Sequence, residues 1–324
     1  MATPNLSEIV TTTLRDRSGK IADNVSKGNA LLRKLKEKGG WKTASGRSIV
    51  QEHDFQENGT FMWYTGSEVL DISATDVLSA FEYDWKQAAV SIVWNGLEMD
   101  VQNVGDAQKI DLLAARMKNA ERTMKNQITV GLYSDGTGSG GKTIGGLQLL
   151  VADDPTSGTV GGVDRSTYSY ARNKIWDAAN GDGTGGAISS SNIQSALNGL
   201  WLRCTRGSDM PDFIVADSEY YRFFEASLQN IQRLNDPTKV GRLGFPSLAY
   251  KNADFCYEDS TGISGDHLYM LNTDYLHFRY AGQRNFSPAE TVKSINQDAW
   301  AQFILFAGNL CCSNFQLQGV MFES

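Results

Sequence analysis

The most specific chemical spacing in the chain is Gly136 to Thr143, GTGSGGKT, which satisfies the phosphate-loop pattern G-x-x-x-x-G-K-[ST]. In such a loop backbone N–H groups cradle phosphates, Lys142 reaches the outer phosphates and Thr143 holds magnesium. ITVGLY just before it offers a strand, and FIVAD, ending at Asp217, offers a metal-holding carboxylate. Other constellations are thinner. His53, His267 and His277 have no second histidine or cysteine at helical spacing, and neither HExxH nor GxSxG occurs. Cys204, Cys256, Cys311 and Cys312 lack CxxC spacing, and two are adjacent, which suits reduced, buried thiols better than a disulfide framework or a zinc site. Asp153-Asp154 before Pro155 reads as turn chemistry. No acid–base pair can be nominated, and neither an enzyme activity nor a cofactor is expected.

The elements around GTGSGGKT speak against a nucleotide site. A phosphate loop needs a strand before it and a helix opening at its lysine. Here the preceding residues continue a helical stripe, Ile110, Leu113, Met117, Ala120, Met124 and Ile128, that predicts a helix over 106–132 with Asp106 as its cap. At 1.5 Å per residue that helix is roughly 40 Å long, a spine crossing the molecule. After the motif come Gly145-Gly146 and soon Pro155, and adjacent glycines cost about 1 kcal/mol each inside a helix. A flexible loop is the simpler reading, because 14 of the 32 glycines fall between Gly131 and Gly186.

Elsewhere the pattern mixes strands and helices, an α+β chain. From Arg47 to Trp94 strands are expected at SIVQEHDF, at TFMWYTG, and where Phe81, Tyr83 and Trp85, then Val90, Ile92 and Trp94, alternate. Phe61, Met62, Trp63 and Tyr64 are consecutive between Gly59 and Gly66, and if that segment lies at or near a hairpin end, one face cannot be buried by its own chain and needs a partner. Ile193, Ala196, Leu197, Leu200, Trp201 and Cys204 make a helical stripe capped by Ser190 or Ser191. A strand at 213–216, a helix from Ser218 to about Leu234, and strands near 254–257, 267–271 and 276–280 follow. AWAQFILFAGNL and CCSNFQLQGVMF read as two long strands with a turn at Gly308-Asn309.

The 324 residues are 41% hydrophobic and 21% charged, enough apolar content for a large core and about two domains, and no window has the run of about 18 apolar residues that a membrane helix needs. Net charge is −7, which excludes a surface that grips nucleic acid everywhere. The charge is uneven. Residues 1–40 hold eight basic side chains (among them Arg15, Arg17, Lys20, Arg33, Lys34 and Lys36) against four acidic ones, +4 in all, leaving −11 for the rest. That arm either contacts phosphate or an acidic partner, or forms a solvated amphipathic helix around ALLRKLKEKG. A large chain with no site chemistry, an over-long helix and an uncovered aromatic segment fits contact with copies of itself.

The ordered series SEIVTTTLRDRSGKIADNVSKGNALLRKLK, EVLDISATDVLSAFEYDWKQAAVSI, YSDGTGSGGKTIGGLQLLVADDPTSGTVGGVDR, LWLRCTRGSDMPDFIVADSEYY, LNTDYLHFR and INQDAWAQFILFAGNLCCSNFQLQGV resembles the major capsid proteins of tailed bacteriophages, of the Hong Kong 97-like fold, over essentially the whole chain. The resemblance implies an N-terminal arm at 1–40 and an extended loop at 41–76. It further implies a peripheral domain at 77–146 and 286–324, built on the spine helix 106–132, and an inserted axial domain at 147–285. It implies self-assembly into the hexamers and pentamers of an icosahedral head that encloses double-stranded DNA by non-specific contact, assembled in the cytoplasm of a bacterial host, with no membrane partner. Since the body text begins almost at Met1, a separate scaffolding protein is expected, together with a portal protein and a decoration protein. Phe61, Met62, Trp63 and Tyr64 become inter-subunit contacts, and Arg15, Arg17, Lys20, Arg33, Lys34 and Lys36 an inward-facing basic arm.

Overall fold

The computed structural model describes residues 28–97, 106–179, 186–228, 248–258, 262–293 and 295–323. Helix α1 (Ala30–Glu37) leads into β1 (Trp41–Ala44), β2 (Ile49–Asp54), β3 (Leu78–Tyr83) and β4 (Lys86–Asn95), and then into the long helix α2 (Asp106–Tyr133). Short strands β5 (Thr159–Val160) and β6 (Val163–Asp164) precede β7 (Lys174–Asp177), α3 (Ile193–Cys204), β8 (Phe213–Ala216) and α4 (Ser218–Ser227). The remainder is strand: β9 (Leu248–Tyr250), β10 (Ala253–Tyr257), β11 (His267–Leu271), β12 (Leu276–Pro288), β13 (Val292–Lys293), β14 (Ala299–Cys312) and β15 (Gly319–Phe322).

Two sheets organise the body. In the first, β14 is central: β12 and β13 pair with one edge, β4 with the other, and β1 extends β12 in parallel. The second runs β7-β15-β11-β8-β10-β9. Period-two burial sets the first sheet's inner face, where Ile92, Trp94, Gln302, Ile304 and Phe306 are buried while Ser91, Val93 and Phe303 face out. Against that face lies α2, whose Met117, Ala120, Met124 and Ile128 are buried as their spacing requires; the side chains of Ile110 and Leu113 lie outside the described residues. The helix has 28 residues, about 42 Å at 1.5 Å per residue. The α3 stripe Ile193, Ala196, Leu197, Leu200, Trp201 and Cys204 is buried whole, with Asn192 rather than a serine at its N-cap.

Five further expectations change. TFMWYTG is not a strand: residues 55–77 lie between β2 and β3 without regular structure. There is no turn at Gly308-Asn309, because β14 runs straight through both. A Cβ at Gly308 would sit 2.8 Å from the Arg279 carbonyl, so that glycine serves strand approach and not chain reversal. Helix α4 ends at Ser227 with Leu228 as its cap instead of running to 234, and residues 229–234 lie outside the described residues. Finally, the expected boundary at 285/286 falls inside β12, which pairs with β14 from Leu276 to Pro288, while β15 returns to the other sheet. β1 likewise belongs to the body sheet, with Trp41 stacked on Phe278 at 4.7 Å, and not to the extended loop. Strand partners far apart in sequence decide these boundaries, and local composition does not carry them.

Candidate interaction site

β2 and β3 pair over Ile49–Asp54 and Leu78–Tyr83, and the Phe55 N–H still bonds to the Val77 carbonyl before pairing stops. Beyond that root the loop holds itself by short polar links. Asn58 Oδ1 accepts from the Thr60 N–H at 3.0 Å and from Thr75 Oγ1 at 3.1 Å, which ties the two limbs together. Asp71 Oδ1 accepts from the Ser73 N–H. These turns leave the apolar side chains outside: Phe61 is 75% exposed, Trp63 88%, Val69 91% and Ile72 94%, with Tyr64, Leu70 and Met62 also exposed. Phe61 and Trp63 touch edge to face, with centroids 5.5 Å apart, and their remaining faces are open. So many neighbouring large apolar side chains in water mark a surface made for another molecule. The sequence pattern pointed to Phe61, Met62, Trp63 and Tyr64; it missed Val69, Leu70 and Ile72 on the returning limb, although EVLDI already placed apolar residues between carboxylates.

The loop's root is firm where its tip is bare. Phe81 is buried edge-on against Phe315, and Tyr170 lies within 5.2–6.0 Å of Phe55, His53 and Phe81. The Glu82 N–H bonds to the Gly161 carbonyl at 2.9 Å. Gly161 has φ +54°, and a Cβ there would meet Phe81 at 2.8 Å, so glycine lets this connection close on the ring. Burial lowers the pKa of His53 in this cluster.

Of the expected basic arm, Arg15, Arg17 and Lys20 lie outside the described residues. Lys34 does not fit an inward, phosphate-facing role. It is buried, its Nζ 2.7 Å from Asp254 Oδ2 and 3.9 Å from Asp212 Oδ2, because α1 turns Leu31, Leu32, Leu35 and Lys34 together onto the body. Lys38 reaches Asp212 at 3.3 Å and Asp274 at 3.4 Å, and although burial opposes its charge, those carboxylates leave its pKa raised. Arg33 is half-buried and Lys36 exposed.

The phosphate-loop reading is overturned. A helix, α2, precedes the motif in place of a strand, and only a single turn, Leu147–Leu150, follows. Residues 134–146 close on themselves, with the Gly146 N–H on the Ser134 carbonyl and Ser134 Oγ on the Ile144 carbonyl, while Ser139, Gly140 and Gly141 take positive φ. Asn309 pins the loop to the sheet, accepting from the Gly145 N–H at 3.0 Å and donating to the Asp84 carbonyl at 2.9 Å. Asp217 is the N-cap of α4, accepting from the Tyr220 and Asp266 N–H groups, so it is not a metal-holding partner.

His267, His277 and the four cysteines are tied into the fold. His267 is held between the Gly265 carbonyl (2.7 Å) and Asp153 Oδ2 (3.0 Å); burial opposes its charge, yet these bonds leave its pKa raised. His277 is pushed down to about 4, first by burial and then by Arg279 and Lys42. All four cysteines are buried, and burial pushes Cys204, Cys256 and Cys312 up to about 12, far from a reactive thiolate. Among the described residues no group of three His, Cys, Asp or Glu side chains could hold a metal, and no helix is long and apolar enough to cross a membrane.

A central long-stranded sheet on a spine helix, a second sheet built from the middle of the chain and completed by β15, and a loop with a bare apolar tip together make the Hong Kong 97-like capsid fold. The chain is similar to the subunit in the capsid asymmetric unit of cyanophage A-1(L), with a TM-score of 0.60 at 14% identity over 88% of this chain and 90% of that one. It is similar also to a subunit of the native GTA particle capsid (TM-score 0.57, 8% identity, 90% and 89% covered) and to one in the capsid of Myoviridae phage XM1 (0.52, 13%, 89% and 91%). No protein-family model and no curated protein matches the sequence.

Proposed function

We propose that this chain is a major capsid protein: a structural subunit that assembles with its own copies into the hexamers and pentamers of an icosahedral phage head around double-stranded DNA. The observation that carries the reading is the loop at 55–77, which leaves Phe61, Trp63, Val69 and Ile72 between 75% and 94% exposed on a fold shared with capsid subunits. A lone chain gains nothing from such a surface, whereas a closed symmetric shell buries it in every copy, and many modest contacts sum to a stability no single one has. The first sheet with α2 then serves as the peripheral domain and the second sheet with α3 and α4 as the axial one. Arg15, Arg17 and Lys20 remain the arm residues for non-specific contact with packaged DNA, and the acidic body keeps that contact weak. The same reading puts the protein in the virion, assembled in the host cytoplasm with a scaffolding protein, a portal protein and a decoration protein. Electron microscopy and sedimentation of the purified chain test it: rings or shells are expected, and a monomer that persists at high concentration refutes it.

A further inference from the structure

The face of the first sheet that points away from α2 carries a hollow of its own. By the period of two that buries Ile92, Ile304 and Phe306, Gln87 and Ala307 share the outward face of Ser91 and Phe303. There β12 bulges: Tyr280 pairs with Gly308 but Asn285 pairs with Phe306, so residues 281–284 stand opposite Ala307 alone. Between this bulge, the β1–β2 turn and Trp85 lies a cavity of about 760 Å³. It is lined by hydroxyl and amide groups, Thr43, Ser45 and Gln87 among them, and by Arg284; among the described residues no Asp or Glu lines it. Two bonds fix its walls, Arg284 Nη1 donating to Gln87 Oε1 and Trp85 Nε1 to the Gly46 carbonyl.

Positive charge continues along the same face. Lys42 and Arg279 are register partners, each two residues before a lining residue, Ala44 and Ala281. Among the described residues neither side chain makes a hydrogen bond or an ion pair, and the buried Arg279 Nε has no acceptor. Two residues before Arg279, His277 keeps a buried Nδ1 without a partner, and burial, then Arg279 and Lys42, lower its pKa to about 4. Asp274, the carboxylate that acts on His277, is itself 3.4 Å from Lys38. Like charges directly opposite on a sheet are destabilising, and no carboxylate of the described residues pairs with Lys42 or Arg279.

We propose that this face binds a phosphate group in the hollow, with Arg279, Lys42 and Arg284 supplying charge and the Thr43 and Ser45 hydroxyls supplying hydrogen bonds. Two arginines and a lysine call for more than the single charge of a carboxylate, and forked guanidinium donors match phosphate oxygens. The phosphate comes either as the free ion or as part of a nucleic-acid backbone. This inference stands apart from the shell-subunit reading, since it needs no second copy.

The test uses the full chain, dialysed against radiolabelled inorganic phosphate at constant ionic strength in chloride. Saturable binding of a single phosphate per chain is expected, weakened at least about tenfold in Arg279→Gln, which loses charge-assisted bonds, and also weakened in Lys42→Gln. No saturable binding, or binding that Arg279→Gln leaves unchanged, overturns the site; the second result assigns the ion to other basic residues of the chain. Because the Arg279 side chain has no bond within the fold, Arg279→Gln is expected to melt like the parent chain in phosphate-free buffer. A variant that fails to fold there shows that Arg279 is structural and overturns the site as well. A short single-stranded oligonucleotide without terminal phosphate separates the sources: displacement of the label supports the backbone phosphate, and retention supports the free ion. An oligoglutamate peptide that displaces the label at lower concentration than unlabelled phosphate overturns the assignment in favour of an acidic protein partner.

Discussion

Residues 30–37 and residues 55–77 lie a short distance apart in sequence and treat their apolar side chains in opposite ways. In α1 the leucines fall three and four apart, a helix gathers them on one side, and Leu31, Leu32 and Leu35 are fully buried against the chain's own core. In the loop Phe61 to Tyr64 are consecutive, so no helical or strand period puts them on one face, and Trp63 is left 88% exposed. Apolar content is similar; arrangement decides whether burial happens within one molecule or only between molecules. The charges follow the same division: Lys34 of α1 is neutralised inside by Asp254, whereas the loop's four carboxylates stay at the surface.

The contrast is open to attack by substitution. Lys34→Ala removes the ammonium 2.7 Å from the buried Asp254 carboxylate, and breaking a buried pair from one side costs about 3–5 kcal/mol; chemical denaturation of the monomer reads this, and a loss under 1 kcal/mol breaks the claim that α1 is an internal element. Leu32→Ala is expected to cost about 2–5 kcal/mol by the same measurement, since the side chain is fully buried. The acid side sharpens the comparison, because its main sensor belongs to the body and the loop holds no histidine. With His277 lowered to about 4 from an unfolded value near 6.5, the unfolded chain binds the extra proton between those values. Stability then falls by up to about 1.4 kcal/mol per pH unit on acidification through that window and is level above it. His277→Gln is expected to flatten that slope in melts run from pH 7 to 4. His267 acts with the opposite sign: its raised pKa gives a contribution complete below 6.5 and lost as pH rises through the folded value, so His267→Gln narrows the gap to the parent chain at pH 8.5. The smallest effect on the monomer comes from Trp63→Ala, within about 0.5 kcal/mol as for a surface site. On the proposed shell reading assembly carries the cost, because a ring seated on a neighbour loses exposed area worth roughly 25 cal/mol per Å². Loss of monomer solubility with assembly intact contradicts this.

What could be read from the residues follows from the range of each signal. Helices α2 and α3 were legible because a stripe repeats every three or four residues. The aromatic run was legible as a surface because nothing in its own pattern could cover it. Lys34 was not: its partners Asp212 and Asp254 stand about two hundred residues away, and only the packing of α1 beside β12 and β1 brings its lysine within reach of them. Gly308-Asn309 misled because a turn dipeptide is a local cue, while pairing with β12 on one side and with the end of β4 on the other holds that segment extended. The phosphate-loop match failed for a related reason: its residues are present, but the helix ahead of them fixes a geometry in which they close on themselves.

β14 and β15 follow in chain order every strand they pair with: β4, β12 and β13 in one sheet, β7 and β11 in the other. During synthesis neither sheet is complete until this last stretch emerges, so tertiary structure sets in late and through contacts of long sequence separation, a slow class of folding. A prematurely terminated polypeptide lacks the middle of one sheet and an inner strand of the other at once. On the shell-subunit reading, a copy cut short of β14 would have no finished surface with which to join a shell.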